Sequence, residues 1–135
     1  MKTKPTLTQD DVRAIAAAAE AEAHKNQWAV TFAITDDGGH LLWLQRLDGA
    51  APISAEIAPA KARTAALGRR ESKVYEDMIN QGRMSFLSAP LLRGMLEGGV
   101  PILVDGQCLG AVGVSGVKSS EDAQIARAGI AALGA

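Results

Sequence analysis

Apolar positions along the chain change period several times, and each change marks an element. Val12, Ile15, Ala19 and Ala23 recur at helical spacing, which predicts an amphipathic helix over residues 9–26 with a narrow apolar stripe. Thr8 stands where an N-cap belongs, and Asp10 and Asp11 fall in the first turn, where the helix dipole favours negative charge. Glu20 and His24 lie four apart on its flank, in position to pair. From Trp28 to Thr35 the period drops to two, and Trp28, Val30, Phe32 and Ile34 share one face. Asp36-Asp37-Gly38-Gly39 is a turn signal, so His40 to Leu47 reads as the returning strand of a hairpin. Large apolar groups sit on both faces of that second strand: Leu42 and Leu44 on one, Leu41, Trp43 and Leu47 on the other. In so small a domain, this predicts cover from a second subunit.

After the loop at Asp48 to Pro52, Ile53, Ile57, Lys61 and Thr64 set a helical spacing over residues 53–67, with Gly68 as the C-cap. Pro59 falls inside it, where a missing donor costs about 3 kcal/mol, so a kink or a restart near Ala58 is expected. A more polar helix follows over residues 73–80, with Val74, Tyr75 and Met78 as its apolar part. Residues 83–92 keep no period, and Ala89-Pro90 forbids a helix across that point. Ile102-Leu103-Val104, Asp105-Gly106 and Cys108 to Val114 form a hairpin whose turn dipeptide favours type I′. Ser119, with Asp122 three residues on, starts a last helix with the stripe Ala123, Ala126, Ile130 and Leu133. This order gives an α+β fold with a mainly antiparallel sheet, in a single domain spanning residues 1–135.

Composition narrows function more than fold. Hydrophobic residues make up 47% of the 135 and charged residues 21%, an ordinary globular balance. Lys plus Arg (14) nearly cancels Asp plus Glu (15), so no net field draws the chain to nucleic acid or an anionic membrane. No apolar run approaches the ~20 residues of a membrane span, and Met1 to Pro5 is too polar for a signal peptide. The single cysteine, Cys108, rules out an internal disulfide and a multi-cysteine metal site. It is expected as a small core residue in a reduced, cytoplasmic setting.

Candidate chemistry gathers around Lys61, Arg63, Arg69 and Arg70. Arg63 offers a planar fork suited to a carboxylate and Lys61 a point charge; the competing role is a solvated face with internal ion pairs. Gly98-Gly99 and Gly113-Val114-Ser115-Gly116 leave main-chain amides bare. The expected site is a hollow where those amides meet Lys61 and Arg63. No Gly-Lys-Ser/Thr follows Gly113, which excludes a Walker-type loop, and HExxH, CxxC and G-x-S-x-G patterns are missing. Glu56 and Glu97, beside apolar or glycine-rich sequence, are the acid–base candidates, against a structural salt bridge or cap as the alternative. His24 is either a metal or heme ligand or a half-exposed partner for a carboxylate.

Asp36-Asp37-Gly38-Gly39-His40-Leu41, Arg46 with Asp48, the run from Lys61 to Glu71, Gly98-Gly99-Val100-Pro101 and the stretch from Gly110 to Gly116 together resemble the GlcG/HbpS-type family. That family is also related to the C-terminal domain of PduO. The resemblance covers nearly the whole chain and is strongest to the GlcG branch, associated with glycolate-utilisation operons. It implies a profilin-like fold, a five-stranded antiparallel sheet flanked by helices, in homo-oligomers (dimer, tetramer or octamer). It also implies a small-molecule ligand, heme or another planar anion. His24 is the histidine nearest the position of a heme ligand in some relatives, and Arg63, Arg69 or Arg70 would meet the propionates. The alternative it implies is a cofactor-independent lyase on a small carboxylated substrate such as a hydroxylaminobenzoate. There Arg63 would clamp the carboxylate while Glu56 or Glu97 moved the proton.

Overall fold

Alternation along one strand sets the layers of the molecule. The computed structural model describes residues 1–134, and in it β1 (Thr31–Asp36) is buried on both faces. Phe32 and Ile34 point into the main core, shared with Ile15 and Ala19 of α1 (Gln9–Lys25) and Ile125 and Ala126 of α4 (Ser119–Ala131). Ala33 points the other way, against Ala58 and Ala62 of α2 (Ser54–Gly68). The sheet therefore lies between an α1/α4 layer and α2. Its other strands are β2 (Leu41–Arg46), β3 (Gly99–Val104) and β4 (Gln107–Ser115), in the order β2-β1-β4-β3, every pair antiparallel.

The α+β architecture agrees with the sequence pattern, but the sheet has four strands among the described residues rather than five. Between α3 (Ser72–Asn80) and β3 the chain forms a 3-10 turn at Met84–Ser88 and then bends. Leu91 (φ 67°), Gly94 (φ 63°) and Gly98 (φ 131°) break any extended run there. Double burial also falls on β1 instead of β2. β2 is an edge strand, with Leu41, Leu42 and Leu44 exposed.

Local signals hold where the partner is close in sequence. Thr8 and Asp11 form a capping box at the start of α1. Asp105 (φ 50°) and Gly106 (φ 77°) both take the left-handed conformations a type I′ turn demands. Cys108 is a free, buried thiol, as expected. α2 runs uninterrupted through Pro59 from Ser54 to Gly68, with neither break nor restart. The left-handed C-cap falls on Arg69 (φ 57°) and not on Gly68. Gly68 is small for another reason: a Cβ there would lie 2.0 Å from the Tyr75 hydroxyl. At α4 the acid that reaches back to the helix start is Glu121, which accepts from the Lys118 N–H at 3.2 Å. Asp122 turns inward.

Candidate functional site

α2 packs on the sheet through small residues, Ala58, Ala62, Ala65 and Ala66, so its backbone comes unusually close to β3 and β4. The glycines of those strands make this approach possible. A Cβ on Gly113 would sit 2.2 Å from the Ala58 carbonyl oxygen, and one on Gly99 would sit 2.2 Å from that of Lys61. The bare amides are filled as well: the Gly99 N–H donates to Ser72 Oγ at 2.8 Å, and the Gly98 carbonyl accepts from the Val114 N–H. Ser115 is buried opposite Thr31, and a Cβ on Gly116 would press on the Ala29 carbonyl at 2.6 Å. The glycine-rich backbone read as a ligand cradle thus receives a helix.

Lys61 follows from this packing. Its ammonium is buried and donates to the Val114 carbonyl at 2.9 Å and to Asp122 Oδ2 at 3.1 Å. The second Asp122 oxygen accepts from the Val117 N–H at 3.2 Å. Burial pushes the Asp122 carboxyl above its ordinary range, with Lys61 and the Val117 amide pulling against that rise. This pair ties α2 to the opposite layer and leaves Lys61 with protein partners where a ligand was expected.

Arg63, two residues on, faces elsewhere on the helix and is half-buried. It borders two hollows, one of about 330 Å³ with Thr35, Gly39, His40, Leu41 and Pro59, the other of about 310 Å³ with Leu91 and Arg93. Neither contains Gly98, Gly99, Ser115 or Gly116, so the single hollow expected from the sequence is not formed. Glu56 is exposed two turns before Arg63, and Glu97 is half-buried, its N–H donating to Glu76 Oε1 at 3.0 Å. Neither carboxylate lines a hollow with Arg63.

His24 belongs to a different place, a cleft of about 490 Å³ between the end of α1 and β2. Its walls are Ala23, Trp28, Ala29 and Leu47, with Arg46, Glu20 and Asp48 at its polar margin. Glu20 accepts from Gln45 Nε2 at 3.0 Å rather than from His24. Arg46 is held by the Ala50 carbonyl, which accepts from Nε at 3.1 Å and from Nη2 at 2.9 Å. His24 lies on the α1 side of the sheet and Arg63 on the α2 side, so the two cannot serve one ligand within a chain. Arg69 is likewise committed, to the carbonyls of Asp37 and Ala66. Among the described residues no group of three His, Cys, Asp or Glu side chains forms a metal cluster. No described helix is long and apolar enough to cross a membrane.

Sequence reasoning missed Thr35, His40 and Arg93 beside Arg63, and Arg46 beside His24. Thr35 carried a usable signal, since it alternates with the apolar face of its strand and so must point at α2. Arg93 carried none, because its segment has no period.

Residues 7–131 match the family model described as "Haem degrading protein HbpS-like". The chain is 62% identical over 115 residues to Protein GlcG of Escherichia coli (strain K12), with 85% of each chain covered. A crystal structure of a double mutant of Streptomyces reticuli HbpS superposes with a TM-score of 0.88 at 31% identity, over 100% of this chain and 92% of that one. A crystal structure of a PduOC–heme complex does so with a TM-score of 0.83 at 29% identity, over 95% of each. The chain belongs to the HbpS-like family.

Proposed function

We propose that the protein binds heme, or another planar anionic ligand, in the cleft between α1 and β2. The observation that carries this reading is His24. Its imidazole borders a cleft of about 490 Å³ walled by Ala23, Trp28, Ala29 and Leu47, with a guanidinium, Arg46, on the same margin. An axial nitrogen, an apolar slot and a cation for the propionates are the groups heme requires. The volume falls in the range of small-molecule sites. The PduOC–heme complex in a related fold supports the same ligand class. His24 would hold the iron, Trp28 and Leu47 would cover the ring, and the Arg46 donors not used by Ala50 would meet a propionate. Heme held there supplies a redox-active centre open to exogenous ligands.

The lyase alternative requires a proton-transfer carboxyl group beside Arg63, and the separation of Glu56 and Glu97 from that side chain favours binding. The reading includes assembly of copies into a homo-oligomer. Titration with hemin, followed at the Soret band, tests it. Saturable binding is expected, weakened about tenfold or more in His24→Ala, with the band shifted because the axial ligand is lost. A spectrum and affinity unchanged by that substitution would remove His24 and the cleft from the proposal.

A further inference from the structure

We propose that the two hollows flanking Arg63, on the α2 side of the sheet, form one site for a small organic carboxylate, with the Arg63 guanidinium as clamp and the Thr35 hydroxyl as second anchor. This site is separate from the His24 cleft and does not depend on what that cleft holds.

Thr35 is the first reason. It is 1% exposed, lines the hollow beside Arg63, and its Oγ1 is a buried polar atom with no partner among the described residues. Thr31, two repeats earlier on the same face of β1, shows what a structural threonine does here: its hydroxyl pairs with Ser54 Oγ at 2.7 Å. Opposite Thr35, α2 presents Pro59, which has no N–H, and Arg63. Valine would fill the same space without leaving a hydroxyl unsatisfied, so stability alone does not explain the residue. A ligand oxygen arriving in the hollow would satisfy it.

Charge is the second reason. Neither Arg63 nor Arg93 pairs with a carboxylate among the described residues. The nearby acids are engaged: Asp36 accepts from the backbone N–H groups of Gly38 and His40, both at 2.9 Å, and Asp37 pairs with Lys4. The Arg63 stem is also held in place. It lies over Gly39 (φ 79°), where a Cβ would come 2.8 Å from Arg63 Cγ, so the glycine of the β1–β2 turn makes its seat. A guanidinium fixed by its stem and free at its head is prepared for a bidentate partner.

The walls choose the class. Leu41 and Pro59 line one side of Arg63 and Leu91 the other, which suits a compact apolar body carrying the anion better than a fully hydrated oxyanion. Arg93 borders the second hollow and adds a cation for a second carboxylate or a longer acid.

Isothermal titration with acetate, lactate, benzoate and succinate, with inorganic phosphate for comparison, tests the proposal. At least one of these acids should bind saturably and more tightly than phosphate. Arg63→Lys, which keeps the charge but not the fork, should weaken that binding about tenfold. Thr35→Val should weaken it about threefold or more while the Tm of the free protein stays level or rises, because an unsatisfied hydroxyl is removed. His24→Ala should leave it unchanged, which separates this site from the heme reading. Absence of saturable binding by all of these acids, equal binding by phosphate, or affinity untouched by Arg63→Lys would overturn it. So would a Thr35→Val protein that loses Tm and keeps affinity, since the hydroxyl would then be structural.

Discussion

Lys61 is the residue whose role changes most between sequence and structure. On the sequence it is one more cation in a basic run; in the fold it is a buried ion-pair partner of Asp122, a residue far away along the chain. Removing one member of such a pair leaves the other as an uncompensated buried charge. Lys61→Met is therefore expected to cost about 3–5 kcal/mol in urea unfolding. The loss should depend on pH in a stated direction. Burial holds the Asp122 carboxyl above its unfolded value. A carboxyl so raised opposes folding when ionised, above its folded pKa, and that opposition disappears as pH falls through the folded value. Without Lys61 to offset it the opposition is larger, so the deficit of Lys61→Met should shrink as pH falls from neutrality through the raised Asp122 value toward the ordinary carboxyl range. A deficit constant over that range would mean that Asp122 is not what the substitution exposes. None of this was legible in the sequence, because nothing in the spacing around Lys61 points to Asp122. Arg63 stood out in the sequence as a candidate carboxylate clamp, whereas Thr35 and Arg93, which border the same hollows, were not singled out.

At the scale of elements, the same division between local and distant causes recurs. The capping box at Thr8, the Asp105-Gly106 turn and the stripe of α1 are decided within a few residues, and all could be read directly. The meaning of Gly98, Gly99 and Gly113 could not, since a glycine that admits a ligand and one that admits a helix look alike until the helix is placed. Here α2 occupies the space, and its helical run continues through Pro59 from Ser54 to Gly68. The prediction belongs to this interface. Gly113→Ala would bring a Cβ to 2.2 Å from the Ala58 carbonyl and 2.4 Å from the Ala62 nitrogen. Both are backbone atoms, so α2 must retreat as a unit. Overpacking of this kind costs about 1–3 kcal/mol or more, seen as a lower Tm. It should also weaken carboxylate binding, because Arg63 moves with α2 while Thr35 stays on β1. A variant with unchanged Tm would show that α2 is not pressed against β4.

For the whole molecule, the order β2-β1-β4-β3 leaves both outer strands without a neighbour. Sequence showed that β2 carries too many leucines for a solvated strand and assigned one of its faces to a second subunit, but the strand order was hidden, because β1 pairs with β4 across most of the chain. The structure locates the surplus at an edge, where Leu41, Leu42 and Leu44 stand exposed, Leu41 and Leu44 at 51% and 45%. An edge this apolar, with Arg46 at its end as its one charge, is a template for another chain unless it is covered. A second copy is the expected cover, so light scattering should give a mass of at least twice the 14.0 kDa of one chain. Leu41→Lys with Leu44→Lys should reduce that mass to one chain while far-UV circular dichroism stays the same, because both side chains already lie outside the core. The consequence reaches the Arg63 hollow, since Leu41 forms one of its walls. If a partner copy covers β2, it also narrows the entrance to that hollow, and carboxylate affinity should fall when the wild-type assembly is diluted to single chains. A wild-type chain that scatters as one copy at micromolar concentration would leave the β2 leucines uncovered, and the hollow would then have no second wall to lose.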